Sequence, residues 1–333
     1  MLAEARALFR RRDFAALAQR LAPLERAALR AEPELGVLLA DSWRRLGQPE
    51  DALALTRELA DVCEQRGNDR IFRERLNLEG MLWFDRGEVA RAAHAWSELL
   101  RLASEAGDAH FVARANHNLG VVSTLQGDSG AALASYERAI TAYHQLGYLR
   151  GIAQSHENLA ITYRELERLD QAEHHCLQAI EYARADGSED EVARAQQERA
   201  LVLCLAGDLA LAQRTALQAL HGFRRLNSPA DVGGTLQVLG LIALAQHRHA
   251  EAATHLQDAL TLARQTQELL LEAEILEAQA ALAAAERDEP GCRWLQAEAS
   301  RRFVELGAVA WGERARARLL RIRAAAPTEE EVA

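Results

Sequence analysis

Gly127-Asp128-Ser129-Gly130 frames a serine that could serve as a nucleophile. Such a serine works only beside a general base and an oxyanion hole. Eleven histidines and four cysteines are further candidates for chemistry. His174 and His175 are adjacent and point to different faces of a helix; His247 and His249 are two apart, a poor spacing for shared ligation. The sequence has no HExxH, no clustered Cys/His set and no carboxylate loop to hold a metal. It also lacks the glycine-rich runs that cradle nucleotide phosphates. Cys63, Cys176, Cys204 and Cys292 lie far apart with no CxxC, which fits reduced thiols, and Cys176 and Cys204 fall at core registers.

The elements that would position these groups follow from a period. Stepping by forty from Gly120 gives Ala40, Gly80, Gly120, Ala160, Ala200, Gly240 and Ala280. Twelve residues on, the same step gives Ala52, Ala92, Ala132, Ala172, Ala212, Ala252 and Cys292. A third register reads Gly67, Gly107, Gly147, Gly187, Asn227, Gln267 and Gly307. Small residues twelve apart across a short turn let two antiparallel helices approach closely, and glycine or asparagine in the third register ends a helix in the left-handed region. Each unit is therefore helix, turn, helix, terminator. One hairpin cannot bury its apolar face alone, so neighbours stack.

In this frame the GDSG run is the turn inside the third hairpin. Its first position recurs as Gly47, Gly87, Glu167, Gly207, His247 and Arg287. Aspartate or serine there caps the second helix, so Ser129 is read as punctuation rather than a nucleophile. His94 and His174 share a second-helix register, which suggests a surface position.

Composition agrees. Hydrophobic residues make up 49% of 333, aromatics only 5%, and alanine, leucine, glutamate and arginine dominate, all favouring helix over sheet. The 39 basic residues are all arginine, yet the net charge is −10, so no global basic footprint for nucleic acid exists. No apolar run spans a membrane, and the N-terminus lacks a secretory apolar stretch; a cytoplasmic location is expected.

The skeleton resembles the tetratricopeptide repeat. Leu119-Gly120, Gly127-Asp128, Ala132, Tyr136 and Ala139 match its signature spacing, and Trp43, Trp83 and Tyr163 stand where the family carries an aromatic. Forty residues per unit is similar to the longer-helix subgroup of kinesin light chains, spindle adaptors and bacterial peptide-pheromone receptors. Glu79, Arg199 and Gln279 depart from the pattern by replacing the leucine before the small residue. The resemblance implies an all-α, right-handed α-solenoid: residues 1–31 a degenerate hairpin, 32–307 seven units, 308–326 a capping helix and 327–333 a disordered acidic tail.

It also implies a concave groove lined by the first helix of each unit, at positions six, three and two before the small residue and one, four and five after it. These positions give Arg114, His117, Asn118, Gln154, Glu157, Asn158, Arg164, Arg194 and Gln197 in a polar middle. Leu201, Leu205, Val238, Leu241 and Leu244 follow in an apolar half. Asparagines in family members hold a ligand's backbone, since an amide donates and accepts at once. Three occupants of the apolar half can be envisaged: neighbouring first helices brought together by curvature, a partner's amphipathic helix, or the C-terminal helix folding back with Trp311, Leu319 and Ile322. Arg314, Arg318 and Arg321 form a basic stripe on that helix, which reads as a solvating cap or as a contact for acidic lipid, RNA or an acidic partner. The function expected is a non-enzymatic adaptor without cofactor or metal, binding a protein or peptide but neither nucleic acid nor membrane. The alternative is an intracellular peptide-pheromone-type sensor that regulates another protein or transcription.

Overall fold

A computed structural model describes residues 1–67, 69–306 and 309–325, with side chains of the last stretch described from 312 to 322. The terminator expected at Gly307, the side chain of Trp311 and the tail 327–333 lie outside the described residues. All regular structure among the described residues is helical.

The chain divides into two compact units, Met1–Tyr148 and Leu149–Ala333. The first opens with three short helices, α1 (Leu2–Arg10), α2 (Phe14–Leu21) and α3 (Arg26–Ala31). Three hairpins follow. They are α4 (Pro33–Arg45) with α5 (Pro49–Glu58) and α6 (Ala60–Gln65), α7 (Arg70–Asp85) with α8 (Val89–Glu105), and α9 (Ala109–Gln126) with α10 (Ser129–Leu146). The second unit has four hairpins: α11 (Leu149–Glu165) with α12 (Leu169–Asp186), α13 (Glu189–Ala206) with α14 (Leu209–Arg225), α15 (Pro229–Ala245) with α16 (His249–Thr266), and α17 (Leu269–Ala285) with α18 (Glu289–Glu305). A single helix, α19 (Val309–Ala325), ends it. The expectation of stacked helix-turn-helix hairpins is borne out. In the N-terminal segment, expected as a degenerate hairpin, α1 and α2 pack on each other, and α1, α2 and α3 all pack on α4.

The turns are more regular than the sequence shows. From Gly47 to Arg287 a residue with positive φ recurs every twenty positions, both inside hairpins and between them. Most are glycines, but Glu167, Asn227, His247, Gln267 and Arg287 adopt the same left-handed geometry, with φ between 51° and 64°. Asp128 caps α10 by accepting from the Ala131 N–H at 2.9 Å, and Ser129 is simply the first helical residue.

The small-residue register works by volume complementarity. A β-carbon placed on Gly120 would lie 2.5 Å from a Tyr136 ring carbon, and one on Gly240 would lie 2.7 Å from Leu256 Cγ. Trp96 crowds Gly80 in the same way. Of the four units with alanine at this register, those of Ala160 and Ala200 carry Cys176 and Ala216 at the facing position sixteen residues on, all fully buried, and that of Ala40 carries the small Thr56. A bulky side chain thus packs only where the facing first helix offers bare backbone. The pattern departures are compensated locally: Glu79 pairs with Arg75 at 2.8 Å, and Arg199 with Glu173 at 2.8 Å.

Candidate first-helix binding face

In the first unit, Arg114, His117 and Asn118 are half-buried on α9. The Asn118 amide donates to the Asn77 carbonyl oxygen at 3.4 Å, and the His117 ring meets Tyr136 edge-on at 5.9 Å. Asn77 occupies on α7 the register of His117 on α9. It was not picked from the sequence, although the same spacing rule applied to Gly80 reaches it.

In the second unit the polar stretch lies on α11 and α13. Glu191 is 2% exposed and gathers three donors: Arg194 at 2.8 Å, Gln154 at 2.7 Å and Arg150 at 3.1 Å. Arg150 also pairs with Asp190. The Gln197 carbonyl oxygen accepts from the Thr235 hydroxyl at 2.7 Å. Asn158 is half-buried beside them in sequence and register.

Glu157 differs from its neighbours. It is half-buried and makes no hydrogen bond or ion pair among the described residues. Burial pushes its carboxyl up to about 8; Arg194 opposes the shift, while Glu191, Glu198 and Asp231 reinforce it. At neutral pH this side chain is chiefly a neutral carboxylic acid, able both to donate and to accept.

Arg164 requires a correction. Expected to face a ligand, it is 6% exposed and committed to Glu198 and Glu165, both at 2.5 Å. A guanidinium with two carboxylates already in place is part of the stack's interior.

The apolar half is also not open. Leu201, Leu205, Val238, Leu241 and Leu244 are each at most 9% exposed and belong to one cluster with Leu319 and Ile322 of α19. The terminal helix touches α13, α15 and α17, all first helices. Of the three occupants envisaged, two are present together: α13, α15 and α17 touch one another in sequence, and α19 lies against all three, so these leucines and Val238 are not free for a partner as the chain stands.

The buried polar groups do not assemble into a catalytic or metal site. No group of three metal-ligating side chains is found among the described residues. The closest titratable cluster is His156 and His175, whose Nδ1 atoms are 2.9 Å apart within a stack of Tyr163, His175, His156 and Tyr182 rings. Burial, with a smaller contribution from His174, pushes His175 down to about 4, so that ring is neutral at pH 7. Cys176 and Cys204 are buried and unpaired, with burial pushing the Cys204 thiol up to about 12.

A family model described as Tetratricopeptide repeat matches residues 113–145 and 153–186, which are the third and fourth hairpins. The chain carries tetratricopeptide repeats. No curated protein matches it. Among solved structures, a Rap protein complexed with Competence and Sporulation Factor is similar at 15% identity over 98% of both chains, TM-score 0.67. BtubC (BKLC) from P. vanneervenii is similar at 21% identity over 65% of this chain and 92% of that one, TM-score 0.54. The Rap conjugation gene regulator of plasmid pLS20, in complex with the Phr* peptide, is similar at 14% identity over 78% of each, TM-score 0.58. At these identities the likeness concerns the fold.

Within the tetratricopeptide array, Glu274 and Glu277 were missed by sequence reasoning. They lie six and three residues before Ala280, the registers of Gln154 and Glu157 on α11, and both face α19: Glu277 pairs with Arg316, and Glu274 with Arg318 at 3.4 Å. The spacing rule, carried one hairpin further, finds both. No helix among the described residues is long and apolar enough to cross a membrane.

Proposed function

We propose that this chain is a protein- or peptide-binding adaptor that holds its ligand on the polar first-helix faces. The candidate groups are Gln154, Glu157, Asn158, Arg194 and Gln197 on the face of the second unit; Arg114, His117 and Asn118 form a separate candidate face on the first. The observation that carries the reading is Glu157: a half-buried acid without a hydrogen-bond partner, held neutral beside Glu191, whose Oε1 gathers three donors while its buried Oε2 has none. An extended peptide presents alternating N–H and C=O groups, and a carboxylic acid beside an asparagine amide meets both. Ionised, the same site would favour a cationic group instead. A location in the cytoplasm belongs to this proposal. So does the absence of catalysis, since the groups here bind and orient without a nucleophile and base in reach of each other.

A second reading, a peptide sensor regulating another protein, is supported by the two Rap structures, one complexed with Competence and Sporulation Factor and one with the Phr* peptide. Capture of partners from the native cell, identified by mass spectrometry, supplies the ligand for the test. With that ligand purified, the Asn118→Ala/Asn158→Ala variant should bind more weakly while melting as the wild type does. Each lost amide contact is worth about 0.5–1.5 kcal/mol. Unchanged affinity would remove the polar faces from the reading. A partner engaged only after a peptide is added would favour the sensor over the adaptor.

A further inference from the structure

The docking of α19 is not ordinary stacking. In a repeat array each element touches its neighbours. This helix touches α17 and α18 as the next first helix should, but it also reaches α15 and α13. Its 17 residues span about 25 Å at roughly 1.5 Å each, enough to cross three helices spaced about 8–10 Å apart. The contacts resemble those of a helix in a groove. Leu319 and Ile322, three apart, are 5% and 0% exposed, while Leu320 on the opposite side is 61% exposed. Arginines flank the anchors: Arg316 on Glu277, Arg318 on Glu274, and Arg321 on Glu167 at 3.0 Å.

The holding ion pairs differ in burial. Arg321 and Glu167 are 37% and 65% exposed, and such a pair contributes little to stability, whereas Arg318 and Glu274 are each 13% exposed and Arg316 reaches a buried carboxylate. The receiving wall is specific in charge. Glu277 is 2% exposed beneath α19 and pairs with Arg316. Any helix that takes the place of α19 buries this carboxylate again and must bring a cation to it.

We propose that the apolar first-helix face of α13, α15 and α17 is a docking site for an arginine-bearing amphipathic helix of a partner protein, held closed in cis by α19. The proposal rests on reading the chain as a partner-binding protein, and it names what this half of it recognises. The partner helix carries two apolar anchors three or four residues apart, with arginines spaced to meet Glu277 and Glu274. The tether gives α19 an effective concentration on the order of millimolar, so a free helix competes only when it binds more tightly or when α19 is weakened.

The test uses the full chain and a fluorescent peptide of residues 309–325. Leu319→Asp/Ile322→Asp in the full chain should raise peptide affinity at least tenfold over wild type. A peptide with Arg316→Glu/Arg318→Glu should lose at least tenfold, and one with Leu320→Ala should bind unchanged. No gain in a variant of normal helix content overturns the proposal. Should that variant lose helix, Arg316→Glu/Arg318→Glu/Arg321→Glu in the full chain is the second route and should give the same gain. Independently, hydrogen exchange of the wild type should show α19 amides opening before those of α13 and α15. Exchange of all three together would make α19 core and overturn the proposal, as would a dimer formed by exchange of α19 between copies. Asn158→Ala should leave peptide binding untouched, so this inference and the polar-face reading fail separately.

Discussion

Gly120→Ala and Gly130→Ala are the same change on neighbouring helices of one hairpin, and they should have opposite signs. Alanine in place of glycine inside a helix gains about 1 kcal/mol from backbone entropy and propensity. At Gly130 the new β-carbon would meet nothing nearer than the Asp128 side chain at 3.6 Å, so the gain of up to about 1 kcal/mol should be realised. At Gly120 it would lie 2.5, 2.7 and 2.8 Å from three ring carbons of Tyr136. That ring cannot retreat: it is 1% exposed, and its hydroxyl lies 3.2 Å from the Thr124 hydroxyl. Overpacking of this kind costs about 1–3 kcal/mol. With three adjacent atoms of one rigid, buried ring in the way the upper end applies, leaving a net loss near 2 kcal/mol after the propensity gain of about 1 kcal/mol. The two variants should then differ by about 3 kcal/mol, or roughly 6–12 °C in melting temperature for a unit of this size. Circular dichroism melts, with amide exchange on α9 and α10 to localise the change, give the comparison. A third variant, Gly120→Ala/Tyr136→Cys, copies the Ala160 and Cys176 pairing of the next hairpin. It should be less destabilised than the sum of its parts, with a coupling of about 0.5–3 kcal/mol. Gly120→Ala as stable as the wild type would refute close helix approach as the reason for the small-residue register.

Arg164→Leu should lower stability by about 3 kcal/mol or more, because Glu198 would be left buried without its guanidinium; unfolding in urea measures it, and a neutral result would return Arg164 to the ligand-facing set. Glu157→Gln tests the perturbed acid. Its folded-state value of about 8 lies above the unfolded value near 4.3, so the folded chain holds the extra proton between them, and stability conferred by this group is lost as pH rises through that window. The glutamine variant should therefore melt higher than wild type at pH 9 and alike at pH 4; equal melting at both would show that Glu157 ionises normally.

Much of this architecture was legible because it depends on backbone room. A helix that must approach another closely needs glycine or alanine at a fixed place, and a helix that must end in the left-handed region favours glycine, so both leave marks in residue type. Glu167, His247 and Arg287 leave no such mark. They adopt the left-handed turn because the flanking helices impose it, and only the structure shows the twenty-residue spacing complete. Register also told which face Arg164 is on, but not that Glu198 waits there for it. The docking of α19 was legible only as one of three alternatives, for a related reason. Its contacts skip hairpins, and a periodic reading sees only nearest neighbours. The division after Tyr148 was equally silent, since the period runs through it without a change of phase.

The turns bear on how such a chain can grow or shrink. Since the backbone bends alike every twenty residues, a forty-residue block could be excised or duplicated at any turn with helix ends still meeting. Side-chain volume is less permissive. A break between hairpins keeps Gly120 with Tyr136 and Gly240 with Leu256. A break inside hairpins that removed 208–247 would set Ala200 against Leu256, the residue that leaves no room for a β-carbon at Gly240. A joint inside hairpins is thus open only where the two residues it newly pairs match in volume, as Gly80 would with Tyr136, whereas a joint between hairpins keeps every pair intact.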